Sequence, residues 1–436
     1  MTTAKDHARQ IFRAAIDAVD PAAAIHAHCR VVGTVLRVDD LRYDLDAIGD
    51  IILVGAGKAS AIMAQAVTSL LGSRISAGSV VVKYGHGAAV PGIPILEAGH
   101  PIPDQAGETA ARTIEGLVRN RTARDLVIAC WSGGASALLP APRPGLTLVD
   151  KQAVTALLLA SGADIREINA VRKHLSRLKG GQLARCAAPA QVLCLVISDV
   201  IGDDLATIGS GPFCADPSTF AEVQDILARY ALKDRLPPAV AAFLARAPDQ
   251  AENETPKSGH ACFTNVRHVQ VASNRQALQA AARAAVTLGY TPVVEEEPMQ
   301  GEARLAAQRF CARARTLGDR HCFIAGGETT VTLGEDPGQG GRNQEFTLAC
   351  ALHLAGVPGI TILAAGSDGN DGPTDAAGAL CDSTSAARGR ALGLDAAVHL
   401  DRHDAYHFFA GLNDLLITGA TRTNVMDISL ALCRRD

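Results

Sequence analysis

The chain has 436 residues, of which 48% are hydrophobic and only 4% aromatic, and its formal net charge is −4. This length allows two or three domains with large cores, and the aliphatic composition suits alternating strands and helices. The near-neutral balance argues against a nucleic-acid-binding surface, so any anion must be bound by local groups of basic residues.

The cysteines and the apolar runs indicate the cellular environment of the protein. None of the eleven cysteines forms a Cys-x-x-Cys pair, which argues against a structural zinc site or a disulfide framework and indicates reduced thiols. No run approaches the ~18 apolar residues of a membrane span, and residues 1–13 are charged, without a signal-peptide core. We therefore expect a soluble, cytoplasmic protein.

The first half of the chain alternates between apolar runs and amphipathic segments. Residues 3–30 are rich in alanine and are predicted to be helical. Right-handed crossovers between the strands that follow would make a parallel sheet. Strands are predicted at residues 51–54, 79–82, 126–130 and 192–197, and helices at 59–71 and 106–119.

A longer amphipathic helix is predicted over residues 164–179, ending at Gly180 and Gly181. A polar stripe lies directly beside its apolar stripe, at the spacing i, i+3, i+7, i+10. The members of this stripe are Asn169, Arg172, Ser176 and Lys179.

A polar segment at residues 247–260 contains two prolines and is the best candidate for a domain boundary. It divides the chain into domains 1–248 and 249–436, and the alternation restarts beyond it. A second sheet is predicted there. Its strands are expected at residues 269–272, 291–294, 322–325, 361–365 and 415–418, and helices at 275–288 and 302–317.

Six apolar runs stop at turns that carry glycine, charged or hydroxyl residues. In open α/β sheets, ligands bind where the carboxyl ends of strands meet helix N-termini, because unpaired N–H groups and the positive end of the helix dipole are exposed there. Six such turns predict a site for a polyanion. They lie at residues 55–58, 83–87, 132–136, 198–199, 326–329 and 366–368.

The turn containing Gly55, Gly57 and Lys58 is similar to part of a dinucleotide motif but fails two tests. Ser60 stands where a third glycine is needed, and Lys83 stands where an acid would hold a ribose hydroxyl. What remains is a lysine that opens a helix, for which phosphate is the natural partner. The alternative is an ordinary solvated lysine.

The turn at residues 132–136 follows a buried strand. Gly133 and Gly134 would let the backbone approach an anion, and the hydroxyls of Ser132 and Ser136 would add donors. A tight structural turn is the alternative. The similar turn at residues 326–329 carries Glu328, a candidate to bind substrate or nucleotide. The likeness of the two turns leaves open whether the two halves of the chain arose by duplication.

Carboxylates cluster after two predicted strands. Asp199, Asp203 and Asp204 follow one strand, and Asp368 and Asp371 follow another. Carboxylates in such positions bind Mg²⁺ or act as bases, with helix capping as the alternative.

A glycine-rich loop at residues 334–341 precedes Arg342 and Asn343, and Asn343 is a candidate to bind substrate or nucleotide. The planar fork of an arginine suits phosphate oxygens, and a mobile loop could deliver Arg342 to a transferring phosphoryl group. A surface loop without such a function is the alternative.

Taken together, these motifs resemble the glycerate 2-kinases, also known as the tartrate-utilisation or MOFRL-type glycerate kinases, over residues 8–432. The resemblance rests on long, contiguous stretches of sequence. They are Ile52-Leu-Val-Gly-Ala-Gly-Lys-Ala-Ser60, Glu97-Ala-Gly-His-Pro-Ile-Pro-Asp104, Ser132-Gly-Gly-Ala-Ser136, Ile168-Asn-Ala-Val-Arg-Lys-His-Leu-Ser176 with Lys179-Gly-Gly181, Ser198-Asp-Val200, Gly341-Arg-Asn-Gln-Glu345 and Gly366-Ser-Asp-Gly-Asn-Asp-Gly372.

The resemblance implies ATP-dependent phosphorylation of D-glycerate at its 2-hydroxyl, with Mg²⁺ required. It also implies a Rossmann-like N-terminal domain with helices on both faces of a largely parallel sheet, a smaller C-terminal α/β domain with a mixed sheet, and an active site in the cleft between them. By motif position, Lys58 and Arg342 would be the essential cations, and Asp199 and Asp368 the essential carboxylates. Either aspartate could bind the metal while the other acts as the base. A homodimer is compatible with a protein of this size.

The C-terminal signature departs from the family pattern. Ala420, Arg422 and Met426 stand where the family typically shows Pro, Gly and Asn. The change at Arg422 is expected to alter local loop geometry, because glycine permits tight backbone packing.

In the mechanism that we expect, Lys58 and the glycine turns hold the triphosphate, and Arg342 neutralises the transferring group. Asn169, Arg172 and Lys179 would bind the glycerate carboxylate. Two other classes stay open: an NADP-dependent hydroxypyruvate reductase, since Lys83 would tolerate a 2′-phosphate, and a non-catalytic nucleotide sensor.

Overall fold

The computed structural model describes residues 3–434. The chain forms two compact units. The first unit is Pro21–Val271, and the second unit combines the residues up to Asp20 with those from Ala272 onward.

The helices and strands alternate along most of the chain. The helices are α1 Ala4–Asp17, α2 Pro21–His28, α3 Ser60–Leu71, α4 Gln105–Val118, α5 Ala135–Leu138, α6 Leu148–Ser161, α7 Ile165–His174, α8 Gln182–Ala187, α9 Phe220–Arg229, α10 Pro238–Arg246, α11 Asn274–Thr287, α12 Ala303–Arg315, α13 Arg342–His353, α14 Ser385–Ala391, α15 Ala396–Asp401 and α16 Ala405–Leu412. The strands are β1 Cys29–Val32, β2 Val35–Val38, β3 Leu41–Asp44, β4 Ile51–Ala56, β5 Ile75–Lys83, β6 Ile95–Ala98, β7 Leu126–Trp131, β8 Gln191–Ile197, β9 Val266–Ala272, β10 Thr291–Val294, β11 Met299–Glu302, β12 His321–Thr330, β13 Ile360–Gly366, β14 Gly378–Asp382, β15 Leu415–Leu416 and β16 Asp427–Cys433.

The first unit is built on a six-stranded sheet in the order β6-β5-β4-β7-β8-β9, and strands β4 to β8 are parallel. Every residue of β4 and β7 is buried, as expected for strands covered on both faces. This is the strand order of a Rossmann-type sheet, so the predicted Rossmann-like fold is confirmed. The strand order reverses between β4 and β7, and in such sheets the ligand crevice lies outside the carboxyl ends of the strands at that point.

The second unit contains a mixed sheet in the order β10-β12-β16-β13-β14-β15, with β11 also pairing with β12. Strand β16 runs antiparallel to both β12 and β13 and separates them. The carboxyl ends of β12 and β13 therefore meet the start of β16 at one edge of the sheet. The predicted mixed sheet in the C-terminal region is confirmed.

The compact units divide the chain differently from the boundary expected at residues 248 and 249. Strand β9, predicted to open the second sheet, lies at the edge of the first sheet beside β8. Helix α1 belongs to the second unit, where it packs against α11 and β13. The change of unit falls at Val271 because β9 completes the first sheet before the chain leaves it.

Three predicted segments need correction. The helix expected over residues 164–179 is α7, which ends at His174, because Ser176 forms a β-bridge with Pro142 and the amide of Arg177 donates to Ala141. The apolar run before residues 326–329 does not stop there, since β12 continues to Thr330. The antiparallel meander β1-β2-β3 lies partly in a segment predicted to be helical.

Among the described residues, no helix combines the length and the apolar character needed to cross a membrane.

Candidate active site

The sheet of the first unit aligns three of the predicted turns at one edge. Ala56 of β4 pairs with Trp131 of β7, and Trp131 pairs with Val196 of β8. The turns after these strands carry Lys58, residues 132–136 and Asp199, and the first two flank the position where the strand order reverses. The sequence therefore places these candidate groups at the edge where an α/β sheet binds its ligand.

The glycines before Lys58 serve packing. A Cβ at Gly57 (φ +133°) would lie 2.2 Å from Ser132 Oγ, and one at Gly55 would lie 2.9 Å from the Cys130 carbonyl oxygen. The amides from Gly57 to Ser60 all donate to protein acceptors, including Lys58 N–H to the Gly133 carbonyl at 2.9 Å. This turn therefore offers a ligand the Lys58 side chain and no amide cradle, which corrects the expectation that the amides point at a phosphate.

The neighbouring turn keeps its amides available. No described residue accepts a hydrogen bond from the amides of Gly133 and Gly134. Gly134 has φ +88°, and a Cβ there would lie 3.1 Å from the His100 ring and 3.6 Å from Cγ of Lys58. The lysine stem, the imidazole of His100 and the glycine backbone are thus in close proximity.

Hydrogen bonds connect this turn to the predicted polar stripe. Ser136 Oγ lies 2.8 Å from Ser210 Oγ, and Ser210 Oγ donates to Asn169 Oδ1 at 3.4 Å. Lys179 Nζ donates to the Ser136 carbonyl at 2.7 Å. Although Lys179 lies outside the helix on which it was predicted, its side chain still reaches the same surface as Asn169.

Three basic side chains near this surface form no ion pair with a described carboxylate. We call Lys151, Arg172 and Lys179 the cation cluster. Burial, and after it the neighbouring cations, lowers the pKa of Lys151 to about 7 and holds the pKa of Lys179 well below its usual range. Burial also lowers the pKa of Arg172. Unbalanced buried cations are costly, so the cluster favours an anionic ligand.

In the second unit, Arg342 opens α13 and is held by two carboxylates. Its Nε and Nη2 donate to the two oxygens of Asp427 at 2.6 and 2.9 Å, and Nη1 lies 2.9 Å from Glu328 Oε1. Burial opposes the charged guanidinium, but the charge and hydrogen bonds of Asp427 outweigh it and raise the pKa of Arg342. This bidentate geometry fixes the direction of the guanidinium.

Asp371 caps α13 from a different loop. Its oxygens accept from the amides of Asn343 and Gln344 at 3.1 and 2.8 Å and from both side-chain amides. Burial raises the pKa of Asp371 to about 6, against these bonds. Gly341 is required here, because a Cβ would lie 2.3 Å from the Asp371 carboxyl carbon. Asn343, predicted to bind substrate, thus directs its side chain to Asp371.

Asp368 lies at the same edge as Arg342 and Asp427. A Cβ at Gly366 would lie 3.4 Å from Asp368 Oδ1 and 3.6 Å from Asp427 Oδ1, and Asp368 Oδ1 accepts the Asn370 amide at 3.0 Å. Within residues 3–434, no three His, Cys, Asp or Glu side chains are grouped to hold a metal ion. Such single carboxylates fit a magnesium ion that arrives on nucleotide phosphates, since Mg²⁺ keeps its waters and takes one or two protein carboxylates.

Sequence reasoning missed Asp427, His100 and Lys151. Asp427 begins the buried strand β16, and a lone carboxylate before an apolar run was the available signal. His100 lies inside the quoted 97–104 motif, which was not assigned a role. Lys151 is buried on α6 and carried no motif signal.

The sequence profile described as "Domain of unknown function (DUF4147)" matches residues 7–245, and the profile described as "MOFRL family" matches residues 321–427. Curated relatives cover nearly the whole chain. A "Glycerate 2-kinase" of Pyrococcus horikoshii is 36% identical over 96% of this chain and 94% of its own. A "Putative hydroxypyruvate reductase" of Agrobacterium vitis is 42% identical over 99% of this chain and 94% of its own.

Solved structures agree with these relatives. The crystal structure of a glycerate kinase from Thermotoga maritima superimposes with a TM-score of 0.84 at 35% identity, covering 98% of this chain and 99% of that one. The resemblance drawn from the motifs is therefore confirmed, and the chain belongs to the MOFRL-type glycerate kinase family.

Proposed function

We propose that this protein is an ATP-dependent glycerate 2-kinase. It transfers the terminal phosphoryl group of ATP to the 2-hydroxyl of D-glycerate and releases ADP and 2-phosphoglycerate. The observation that carries the proposal is the turn at residues 132–136, where two unbonded glycine amides lie beside the stem of Lys58 and one hydrogen bond away from Lys179. Donors for phosphate and cations for a carboxylate thus occur on one surface.

The substrates divide among the groups of the first unit according to charge. MgATP presents phosphates, which suit Lys58 and the amides of Gly133 and Gly134. The glycerate carboxylate suits Arg172 and Lys179, with Asn169 as a neutral hydrogen-bonding partner. Because the guanidinium of Arg172 has no partner among the described side chains, it can take a carboxylate without breaking an existing bond.

The chemical step needs neutralisation and a base. As the 2-hydroxyl oxygen bonds to the γ-phosphorus, the bond to the bridging oxygen of ADP breaks, and the hydroxyl proton passes to Asp199 or Asp368. Arg342 balances the negative charge on the equatorial oxygens, and a magnesium ion held by whichever of Asp199 and Asp368 is not the base would add positive charge there. In this proposal Lys58 and Arg342 are both required for one turnover.

A reductase is the second candidate, because relatives carry that name. Two observations weigh against a dinucleotide at the turn of residues 55–58. The space beside Gly57 is filled by Ser132, and the amides of residues 57–60 already donate to protein acceptors. In a dinucleotide site these groups face the pyrophosphate.

One coupled assay separates the candidates. The enzyme receives MgATP and D-glycerate, and enolase and pyruvate kinase report the product in the absence of a phosphoglycerate mutase. A signal identifies 2-phosphoglycerate and is the expected result. Consumption of NADPH with hydroxypyruvate would instead establish the reductase, and no reaction in either assay would leave the nucleotide sensor.

Replacing Arg172 tests the acceptor site. Arg172→Met should raise KM for D-glycerate with little change in KM for ATP, because the proposal assigns the charge of Arg172 to the acceptor carboxylate and not to the nucleotide. An unchanged KM for glycerate would exclude this role.

The cellular location and the oligomeric state belong to the same proposal. All eleven cysteines are free thiols, and most are buried, which supports the reducing environment of the cytoplasm. The homodimer stays a prediction.

A further inference from the structure

The cation cluster contains a member that the proposed function does not require. Lys151 lies on α6, is only 8% exposed, and forms no ion pair with a described carboxylate. Its Nζ donates to the carbonyls of Leu175 and Arg172 at 3.0 and 3.4 Å. These carbonyls lie in and just after the last turn of α7, the helix that carries Arg172.

The two bonds place the amino group of Lys151 at the carboxyl end of α7, where the Arg143 amide also donates to the Leu175 carbonyl at 3.3 Å. The last carbonyls of a helix lack partners within the helix, and a cation at that end is favoured by the helix dipole. Lys151 satisfies these carbonyls from another helix. The backbone of Arg172 is therefore held directly by the ammonium of Lys151.

A comparison with Lys173 shows that Lys151 is unusual. Lys173 is also buried, at 7% exposure, but its Nζ lies 3.2 Å from Asp216 Oδ1, which balances its charge. The charged groups that act most strongly on Lys151 are Arg172 and Arg143, both cations. Lys151 has no such acid beside it and adds a third basic group to the surface that carries Arg172 and Lys179.

We propose that Lys151 is a positioning residue of the acceptor site, holding Arg172 by its backbone and adding a third positive charge around the substrate carboxylate. This inference rests on the proposed function for the identity of the anion. It adds Lys151, on helix α6, to the residues that the proposed function assigns to the acceptor site. Lys151 touches the carbonyls of α7 and not the substrate, and it acts on the substrate through the position of Arg172 and through its own charge.

Lys151→Met tests the inference, because methionine keeps the length of the stem and removes the ammonium. KM for D-glycerate should rise at least tenfold, while kcat and KM for ATP stay within about threefold. Lys173→Met is the matched control: it should lower thermal stability and leave KM for D-glycerate unchanged. Lys151→Arg, which keeps the charge and the donors, should restore KM for D-glycerate to within about threefold of the wild type.

A binding measurement makes the test independent of turnover. Calorimetric titration with D-glycerate, and separately with sulfate, should show binding to the wild type and to Lys173→Met and at least tenfold weaker binding to Lys151→Met. If turnover is absent but this difference is found, the cluster is an anion site and only the proposed function fails. If turnover is normal and Lys151→Met binds and uses glycerate like the wild type, the inference fails and the proposed function stands. If Lys151→Met does not fold, Lys151→Arg decides, and a folded arginine variant with wild-type stability but tenfold weaker glycerate binding would overturn the role of the retained charge.

Discussion

Arg342 and Asp427 form a two-pronged ion pair across 85 residues of sequence, with Nε and Nη2 of the arginine on the two oxygens of the aspartate. Asp427 is 2% exposed and pairs in register with Gly327 on one side and Gly366 on the other. Because neither neighbour has a side chain, the guanidinium can reach the carboxylate at the edge of the sheet. The sheet thereby fixes the direction of Arg342.

Asp427→Asn should lower kcat about 10²-fold with little change in either KM, since a shift of about 1 Å in a catalytic group costs about that much. Asparagine retains one acceptor oxygen and cannot accept from both Nε and Nη2 of the guanidinium in the same geometry. Steady-state kinetics at saturating substrates measures the effect. The control is Asp414→Asn, because Asp414 is also buried and paired, with Lys5 and Arg388, yet lies away from Arg342. Equal losses of kcat in the two variants would contradict a specific role for Asp427.

Gly134→Ala should reduce activity by more than tenfold, because the new methyl group would lie 3.1 Å from the His100 ring, which must shift, and would occupy the space beside the stem of Lys58. Gly145→Ala controls for backbone strain. Gly145 has φ +84°, close to the +88° of Gly134, but nothing lies within 4 Å of its Cβ position. Both variants should lose about 1 kcal/mol of stability. Equal activities of Gly134→Ala and Gly145→Ala would show that the close contact at Gly134 does not matter for catalysis.

Arg422→Gly should stabilise the protein by about 1 kcal/mol, because Arg422 has φ +63°, in the left-handed region that costs a residue with a Cβ. The same holds for Met426 at φ +68°, where the family typically has asparagine. Two of the three departures from the family signature, Arg422 and Met426, therefore fall at positions with left-handed backbone. Urea denaturation measures the change, and Arg42→Gly in strand β3 should have the opposite sign. Destabilisation by Arg422→Gly would show that its side chain contributes more than the strain removes.

Glu254 makes stability depend on pH. Burial opposes its charge, but hydrogen bonds from His174, Lys257 and the amides of Phe220 and Thr255 outweigh burial and lower the pKa. A lowered carboxyl pKa stabilises the fold above the unfolded value of about 4.5, and this contribution is lost as pH falls towards the folded value.

Glu254→Gln should therefore cost about 2 kcal/mol at pH 7, and the difference from the wild type should shrink below pH about 4.5. Denaturation curves at several pH values test this, with the exposed Glu252→Gln as a control that changes little. A difference that persists unchanged into strong acid would exclude the charge of Glu254 as the cause.

Much of the first sheet could be predicted because its central strands are buried on both faces and appear as uninterrupted apolar runs. Lys58, Gly133 and Gly134 could be found for the same reason, since each follows such a run directly. The end of α7 could not be found, because residues 175–177 keep a helical pattern and are drawn into contact with residues 141 and 142.

Contacts distant in sequence were also beyond prediction. Asp427 reaches Arg342 because β16 pairs between β12 and β13, and no local sequence pattern specifies that pairing. Lys151 reaches the carbonyls of α7 because α6 packs on α7. The roles assigned to Lys58, Arg342, Asp199 and Asp368 stay predictions.

The decisive measurement for the proposed phosphoryl transfer is the rate of 2-phosphoglycerate formation by Lys58→Ala and Arg342→Ala. Each variant should fold and lose about 10³-fold or more in rate, because neutralising the transferring phosphoryl group is worth that much. Lys83→Ala, at the end of the neighbouring strand β5, should retain activity. A rate near that of the wild type in either Lys58→Ala or Arg342→Ala would show that the two cations do not act on the transferring group.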